Sequence, residues 1–273
     1  MEKNIMNELY FGTGASSNKS YEGLFQVVET AVKQGIVHFD TAPSYRTEEI
    51  LGTVIQKIFR SSGLRREDVF IQTKIDPWQM QEGGVRGHVE LALGRMHLEY
   101  FDSLLIHWPV PEYLDDTWKV FCDLYKEGIV RKIGLCNLRA RHILHMLDME
   151  IVPQIIQIER NPLRTCAQEI EVCHEYGIEV QAYSPLCKMD ERIANSTILM
   201  EIARKYKKSI GQIVLRWHLD TGVIPVFTST KQSRIMEYTD IFSFHLKEED
   251  NRRISALNEN YKMYLESCIC PGF

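Results

Sequence analysis

The chain has 273 residues, 44% hydrophobic and 25% charged, which is enough apolar material for one sizeable core and too much for extended disorder. Its net charge of -5 and sequence pI near 6.0, with no arginine-rich stripe, give no basic field to hold nucleic acid. No apolar run approaches the roughly 18 residues that span a bilayer, and Met1-Glu2-Lys3-Asn4 lacks the apolar core of a secretion signal, so no membrane partner is expected and the expected location is the cytoplasm.

Seven cysteines (Cys122, Cys136, Cys166, Cys173, Cys187, Cys268 and Cys270) include no Cys-x-x-Cys pair, and reduced thiols are expected. The tail pair Cys268 and Cys270 offers two ligands, too few for a metal site. No metal is expected.

In chain order, Leu9-Tyr10-Phe11-Gly12 reads as a first strand turning out through Gly12-Thr13-Gly14. A third glycine at Rossmann spacing is missing, so a dinucleotide would have to bind by another geometry. Ser20 caps a helix carrying Leu24, Val27, Val28, Ala31 and Val32 on one face, and Gly35 ends it before the strand Ile36 to Phe39. A helix over 48–60 leads to the strand 69–74. A helix over 85–96 precedes the strand 101–107, and a helix over 116–127, closed by Gly128, precedes the strand 130–136.

Further units pair a helix over 139–148 with the strand 155–159, and one over 166–176 with the strand 178–183. A helical pair over 195–220 leads to the strand 223–227, and helices over 231–238 and 247–258 finish the chain. Strands that read apolar throughout and alternate with helices predict parallel strands joined by crossovers. The expectation is one α/β domain over residues 1–273, an eight-stranded (β/α)8 TIM barrel; periodicity alone also allows an open doubly wound sheet.

Unusual polar residues fall where those strands end: Asp40, Lys74, His107, Asn137, Gln157 with Glu159, and Tyr183. In a barrel these ends meet on one face, where such folds carry their chemistry. Singly, each has an ordinary reading. Asp40 is a turn former or cap, Lys74 a solvated strand end, His107 a satisfied core histidine and Tyr183 a rim aromatic.

The strings His38-Phe39-Asp40-Thr41-Ala42-x-x-Tyr45, Thr73-Lys74, Leu105-Ile106-His107-Trp108-Pro109, Gly134-Leu135-Cys136-Asn137-Leu138, Gln157-Ile158-Glu159, Ala182-Tyr183-Ser184-Pro185-Leu186 and the helix Gln212 to Leu219 resemble the aldo-keto reductase superfamily, in order and over nearly the whole chain. The resemblance implies reduction of an aldehyde or ketone by hydride transfer from a nicotinamide cofactor, usually NADPH. Tyr45 would be the general acid, with its phenolate made easier to form by Lys74. Lys74 would be held by Asp40, and His107 would donate a hydrogen bond to the carbonyl oxygen.

The resemblance also implies a set of cofactor contacts. Asp40, Asn137 and Gln157, with Cys136 where the family often has serine, would lie at the nicotinamide, and Tyr183 would stack on its ring. Gly12 and Thr13 would form the first loop, and Ser184, Leu186 and Ser229 would clasp pyrophosphate and ribose. Thr228 stands where the family often has a lysine for the 2′-phosphate, while Arg234 keeps the second phosphate position. NADP(H) is therefore expected, and NAD(H) stays open. Trp78, Trp108, Tyr10 and Phe227 are candidate aromatics around a small-molecule carbonyl, with Tyr45 and His107 also touching it. The N-terminal hairpin of the family looks curtailed, a monomer is expected, and the rival reading is a cofactor-binding regulatory protein with slow or no turnover.

Overall fold

The computed structural model describes residues 8–14 and 20–265. Cys268, Cys270, the last three residues and the segment before Glu8 lie outside the described residues, so expectations about them rest on sequence alone. Eight strands follow one another: β1 (Tyr10–Gly12), β2 (His38–Asp40), β3 (Phe70–Ile75), β4 (Ser103–Ile106), β5 (Ile133–Cys136), β6 (Ile155–Glu159), β7 (Glu179–Tyr183) and β8 (Ile224–Phe227). Each runs parallel to its neighbours and β1 pairs with β8, so the sheet closes into a (β/α)8 barrel. The open-sheet alternative is removed.

All residues of β4, β5 and β6 are buried, as expected of strands covered by helices outside and side chains inside. The helices turn apolar stripes onto that sheet. In Tyr21–Lys33 the stripe is Leu24, Val27, Val28 and Ala31, and the Ser20 hydroxyl caps the helix by accepting from the Gly23 amide at 3.1 Å. The helix Ile210–Asp220 starts with a reciprocal Ser209 and Gln212 capping box.

Val85–Met96 matches its expected bounds, whereas the next helix begins at Pro111, because proline at a first helical position gives up no hydrogen bond. The helix Pro77–Glu82, six residues, was not expected; it is too short to show a period. At Gly134 a Cβ would fall 2.1 Å from the Ile155 carbonyl oxygen. Only glycine lets β5 and β6 approach there.

A parallel barrel gathers all strand starts at one end. Tyr10 and His38 are register partners at the starts of β1 and β2, with ring centroids 4.7 Å apart, and His38 stacks on Phe70 at 5.0 Å. The Tyr10 hydroxyl donates to Glu179 at the start of β7, 3.5 Å away. Tyr10, expected beside the substrate, therefore closes the opposite end of the barrel.

Between the two ends the interior is partly polar. The Gln72 amide donates to Asp40 Oδ2 at 2.6 Å and to Gln181 Oε1 at 2.8 Å, and its oxygen accepts from Ser103 at 2.7 Å and Gln181 at 3.1 Å. Gln181 gives its other hydrogen to Glu179 at 2.9 Å and accepts a second bond from Gln157 at 2.9 Å. Every hydrogen and lone pair of these two amides is engaged. That is the condition under which buried amides do not destabilise a core.

Candidate active site

Asp40 ends β2, Lys74 sits one residue before the end of β3, and Tyr45 follows on a single turn, Pro43–Tyr45. The Lys74 ammonium has no exposed side-chain surface and spends its donors on both Asp40 oxygens at 2.7 Å, the Thr41 carbonyl at 3.0 Å and the Tyr45 hydroxyl at 3.5 Å. Burial, the largest single effect, would lower the Lys74 pKa, but Asp40 together with Tyr45 and Cys136 more than offsets it and the lysine stays charged. Burial raises the Tyr45 phenol while Lys74 pulls it down, and burial prevails. The hydroxyl therefore keeps its proton at neutral pH, and Lys74 is the group that lowers the cost of releasing it.

The Tyr45 ring stands edge-on to His107, with centroids 5.6 Å apart, and Gly14 lies against it, where a Cβ would come within 3.3 Å of the ring. His107, just after β4, meets a residue that sequence reasoning missed. Its Nδ1 lies 2.6 Å from Asp76 Oδ1. Asp76 also accepts from the Ser44 amide at 2.8 Å and the Ser44 hydroxyl at 3.2 Å. An acid two residues after a strand-end lysine, and just before Pro77, was the available signal.

These groups open onto a cavity of about 780 Å³ at the C-terminal ends of the strands, lined among others by Gly12, Gly14, Asp40, Tyr45, His107 and Trp108. Asn137, Gln157, Tyr183, Ser184, Leu186, Thr228 and Arg234 reach the same cavity, as do Phe227 and Tyr264. Of the expected residues, Lys74, Thr13, Cys136, Ser229 and Trp78 do not line it; Lys74 lies wholly buried behind Asp40 and Tyr45, which do. Thr13 is buried between the Asp40 carbonyl and Thr47, and the Ser229 hydroxyl is folded back onto Lys231. The buried Cys136 thiol points at Gln157, 3.8 Å away. Trp78 is 46% exposed and stands edge-on to His88.

Two amides expected to read a carboxamide already have partners. Gln157 donates to Asp40 at 3.1 Å and to Gln181, leaving its oxygen with the weak Cys136 donor. Asn137 accepts from the Tyr183 hydroxyl at 2.7 Å and donates to the His107 carbonyl at 2.9 Å. At the rim, Ser184, Cys187, Lys188 and Met189 all have left-handed backbone, with φ from 47° to 58°. Such conformations cost about 1–2 kcal/mol each for L-residues, so the loop after β7 is built under strain.

Glu159, at the end of β6, holds the C-terminal segment over the barrel mouth by accepting from the Met263 and Tyr264 amides at 2.8 and 3.1 Å. This brings Tyr264, also missed in the sequence, edge-on to Tyr183 with centroids 5.9 Å apart. Among the described residues no group of three or more His, Cys, Asp or Glu is arranged to hold a metal, and no helix is long and apolar enough to cross a membrane.

Comparison with known proteins places this geometry. Residues 8–259 match the sequence profile described as "Aldo/keto reductase family". The chain is 36% identical over 257 residues to the glyoxal reductase of Bacillus subtilis, covering 93% of this chain and 90% of that one. It is 31% identical over 263 residues to the methylglyoxal reductase DkgA of Escherichia coli K12, covering 95% and 92%. Among solved structures, a Bombyx mori aldo-keto reductase in complex with NADP superposes with a TM-score of 0.88 at 31% identity, covering 96% of this chain and 92% of that one.

Proposed function

Since the chain belongs to the aldo/keto reductase family, and so to the NAD(P)H-dependent oxidoreductases, we propose that it reduces a small aldehyde or ketone to an alcohol, with NADPH as the reductant and Tyr45 as the proton donor. The observation that carries this reading is the buried Lys74 ammonium, bonded to Asp40 and 3.5 Å from the Tyr45 hydroxyl, directly behind a Tyr45 that lines an open cavity. The names of the glyoxal and methylglyoxal reductases support a small carbonyl substrate.

The residues present fit a nicotinamide dinucleotide. The cavity that Tyr45 and His107 line is also lined by Arg234 and Lys188, two cations able to meet phosphates. Arg234 has no ion-pair partner among the described residues and can grip a phosphate in bidentate fashion. Gly12 admits close backbone approach, since a Cβ there would already press on Thr228 at 3.0 Å. A bound nicotinamide supplies the hydride.

The protein supplies the rest. Tyr45 presents its O–H to the carbonyl oxygen and releases the proton as negative charge grows there. Lys74, fixed by Asp40, stabilises the phenolate left behind, which offsets the cost that burial places on that anion. Trp108, only 8% exposed, and Phe227 give the cavity apolar walls that thin the water around the reacting bond.

The test is consumption of NADPH and of NADH with a panel of aldehydes, ketones and dicarbonyls, for the native protein and Tyr45→Phe. The expected result is turnover preferring NADPH, reduced by at least about two orders of magnitude in the variant with cofactor affinity nearly unchanged. Cofactor binding without turnover on any carbonyl would replace this reading by a regulatory, cofactor-sensing one.

A further inference from the structure

A belt of polar side chains crosses the barrel interior. Gln72 on β3 and Gln181 on β7 meet from opposite sides of the closed sheet and form a reciprocal amide pair, each donating one hydrogen to the other's oxygen, at 2.8 and 3.1 Å. Their two remaining hydrogens point to opposite ends of the barrel. That of Gln72 goes to Asp40 Oδ2 at 2.6 Å, and that of Gln181 to Glu179 Oε1 at 2.9 Å.

The two carboxylates fix which way the amides face. Lys74 reaches both Asp40 oxygens and Lys132 meets Glu179 Oε2 at 2.9 Å, so each acid is met only by donors. Turning either amide over would set its oxygen against an anion and break the reciprocal pair. Gln181 also orients a second amide. Its oxygen accepts from Gln157 at 2.9 Å, and Gln157 gives its other hydrogen to the same Asp40 Oδ2 at 3.1 Å. All three amides are 2% exposed or less, so water does not screen their dipoles.

The ionisable groups facing Tyr45 are Lys74, Asp40, Cys136, His107 and Tyr183. Lys74 favours the phenolate and Asp40 opposes it, so Tyr45 feels the lysine's charge less what Asp40 cancels. Amide hydrogens on Asp40 Oδ2 bring positive charge beside that carboxylate, and Lys74 keeps donors for the Thr41 carbonyl and the Tyr45 hydroxyl.

We propose that the Gln72–Gln181 amide pair tunes the proton donor from inside the barrel: it turns the N–H groups of Gln72 and Gln157 onto Asp40 and so leaves more of the Lys74 charge to stabilise the Tyr45 phenolate. This rests on the carbonyl-reductase reading above. Neither Gln72 nor Gln181 lines the cavity, so both are positioning residues that act through Asp40.

The test uses the reverse reaction, oxidation by NADP+ of the alcohol made from the protein's best carbonyl substrate, in which Tyr45 takes up the proton as a phenolate. Gln72→Met removes one donor from Asp40. Gln72→Met/Gln181→Met removes the whole pair, strands neither amide of it, and carries the test where the single variant does not fold. With a donor gone, Asp40 opposes the phenolate more strongly. The pH at which oxidation reaches half its maximal kcat should therefore rise by about half a unit or more, about a threefold change in proton affinity, while KM for NADP+ stays put. The solvent isotope effect on kcat for reduction should grow as well, because the proton is released less readily. Ser103→Ala is the structural control: it takes a 2.7 Å bond from the Gln72 oxygen but touches nothing on Asp40, so it should lower stability without moving that midpoint. An unmoved or lowered midpoint in either folded methionine variant, or an equal rise in Ser103→Ala, overturns the proposal while the reductase reading stands. A native protein that neither reduces any carbonyl nor oxidises any alcohol overturns the reductase reading, and this proposal with it.

Discussion

Asp40→Asn should destabilise the protein far more than Lys74→Met, although both break the same ion pair. The two partners are supported unequally. Without its carboxylate, Lys74 would be a wholly buried ammonium left with the Thr41 carbonyl at 3.0 Å and the distant Tyr45 hydroxyl. An asparagine can keep its oxygen for Gln72 and Gln157, which both donate to Asp40 Oδ2 at 2.6 and 3.1 Å, but it then turns its amide hydrogens on the Lys74 ammonium in place of Oδ1. Those same two amides keep Asp40 partnered when the lysine is removed instead.

Breaking a buried pair from the worse side costs about 3–5 kcal/mol, which in a chain of this size lowers Tm by roughly 10 °C. The double variant Asp40→Asn/Lys74→Met should recover part of that loss, because no uncompensated charge remains. Calorimetric melts of the two single variants and the double complete the cycle. A loss below about 1 kcal/mol for Asp40→Asn, or a larger loss for Lys74→Met, would refute the reasoning.

Three other outcomes are expected. Arg234→Ala should raise KM for NADPH by about tenfold or more while leaving KM for NADH nearly unchanged, since only one carries the 2′-phosphate; equal changes would remove Arg234 from that role. Gly134→Ala should cost about 3 kcal/mol or more in urea unfolding, because the new methyl lands 2.1 Å from the Ile155 oxygen and 2.8 Å from a Leu105 methyl; a neutral result would mean that β5 and β6 can part freely.

The third concerns acid. Burial, with help from Lys132 and against Glu179, lowers the His38 pKa to about 4, below its unfolded value, so the unfolded chain binds more protons as pH falls. The resulting stability is fully present above about pH 6.5 and is lost progressively toward pH 4, reaching about 2 kcal/mol by pH 5. His38→Phe should flatten that part of the profile between Tyr10 and Phe70, and an unchanged slope would acquit His38.

The barrel was readable because strands buried on both sides cannot hide their apolar runs, and because glycine and serine mark the helix ends. Strand ends pointed to Asp40, Lys74 and His107 by polarity alone, and motif resemblance added Tyr45. Asp76 was hidden because a carboxylate before Pro77 has an ordinary use as a helix start, and nothing local says that its side chain turns to His107. Tyr10 was misplaced because its position in β1, at the start and not the end, was left out of account. Gln72 and Gln181 left a signal that went unread, since an amide inside an apolar strand needs partners and the only space for them is the barrel axis.

The amide network across the barrel also bears on how this sequence can change over generations. Gln72 and Gln181 share bonds in which no hydrogen or acceptor is spare, and Ser103, Gln157, Asp40 and Glu179 are tied to them, so replacing one member strands its neighbours unless they change with it. Substitutions at these positions are therefore coupled, and viable ancestors and descendants should differ there in sets. A library randomised at Gln72, Gln181 and Ser103 jointly should yield folded members that no series of single replacements reaches.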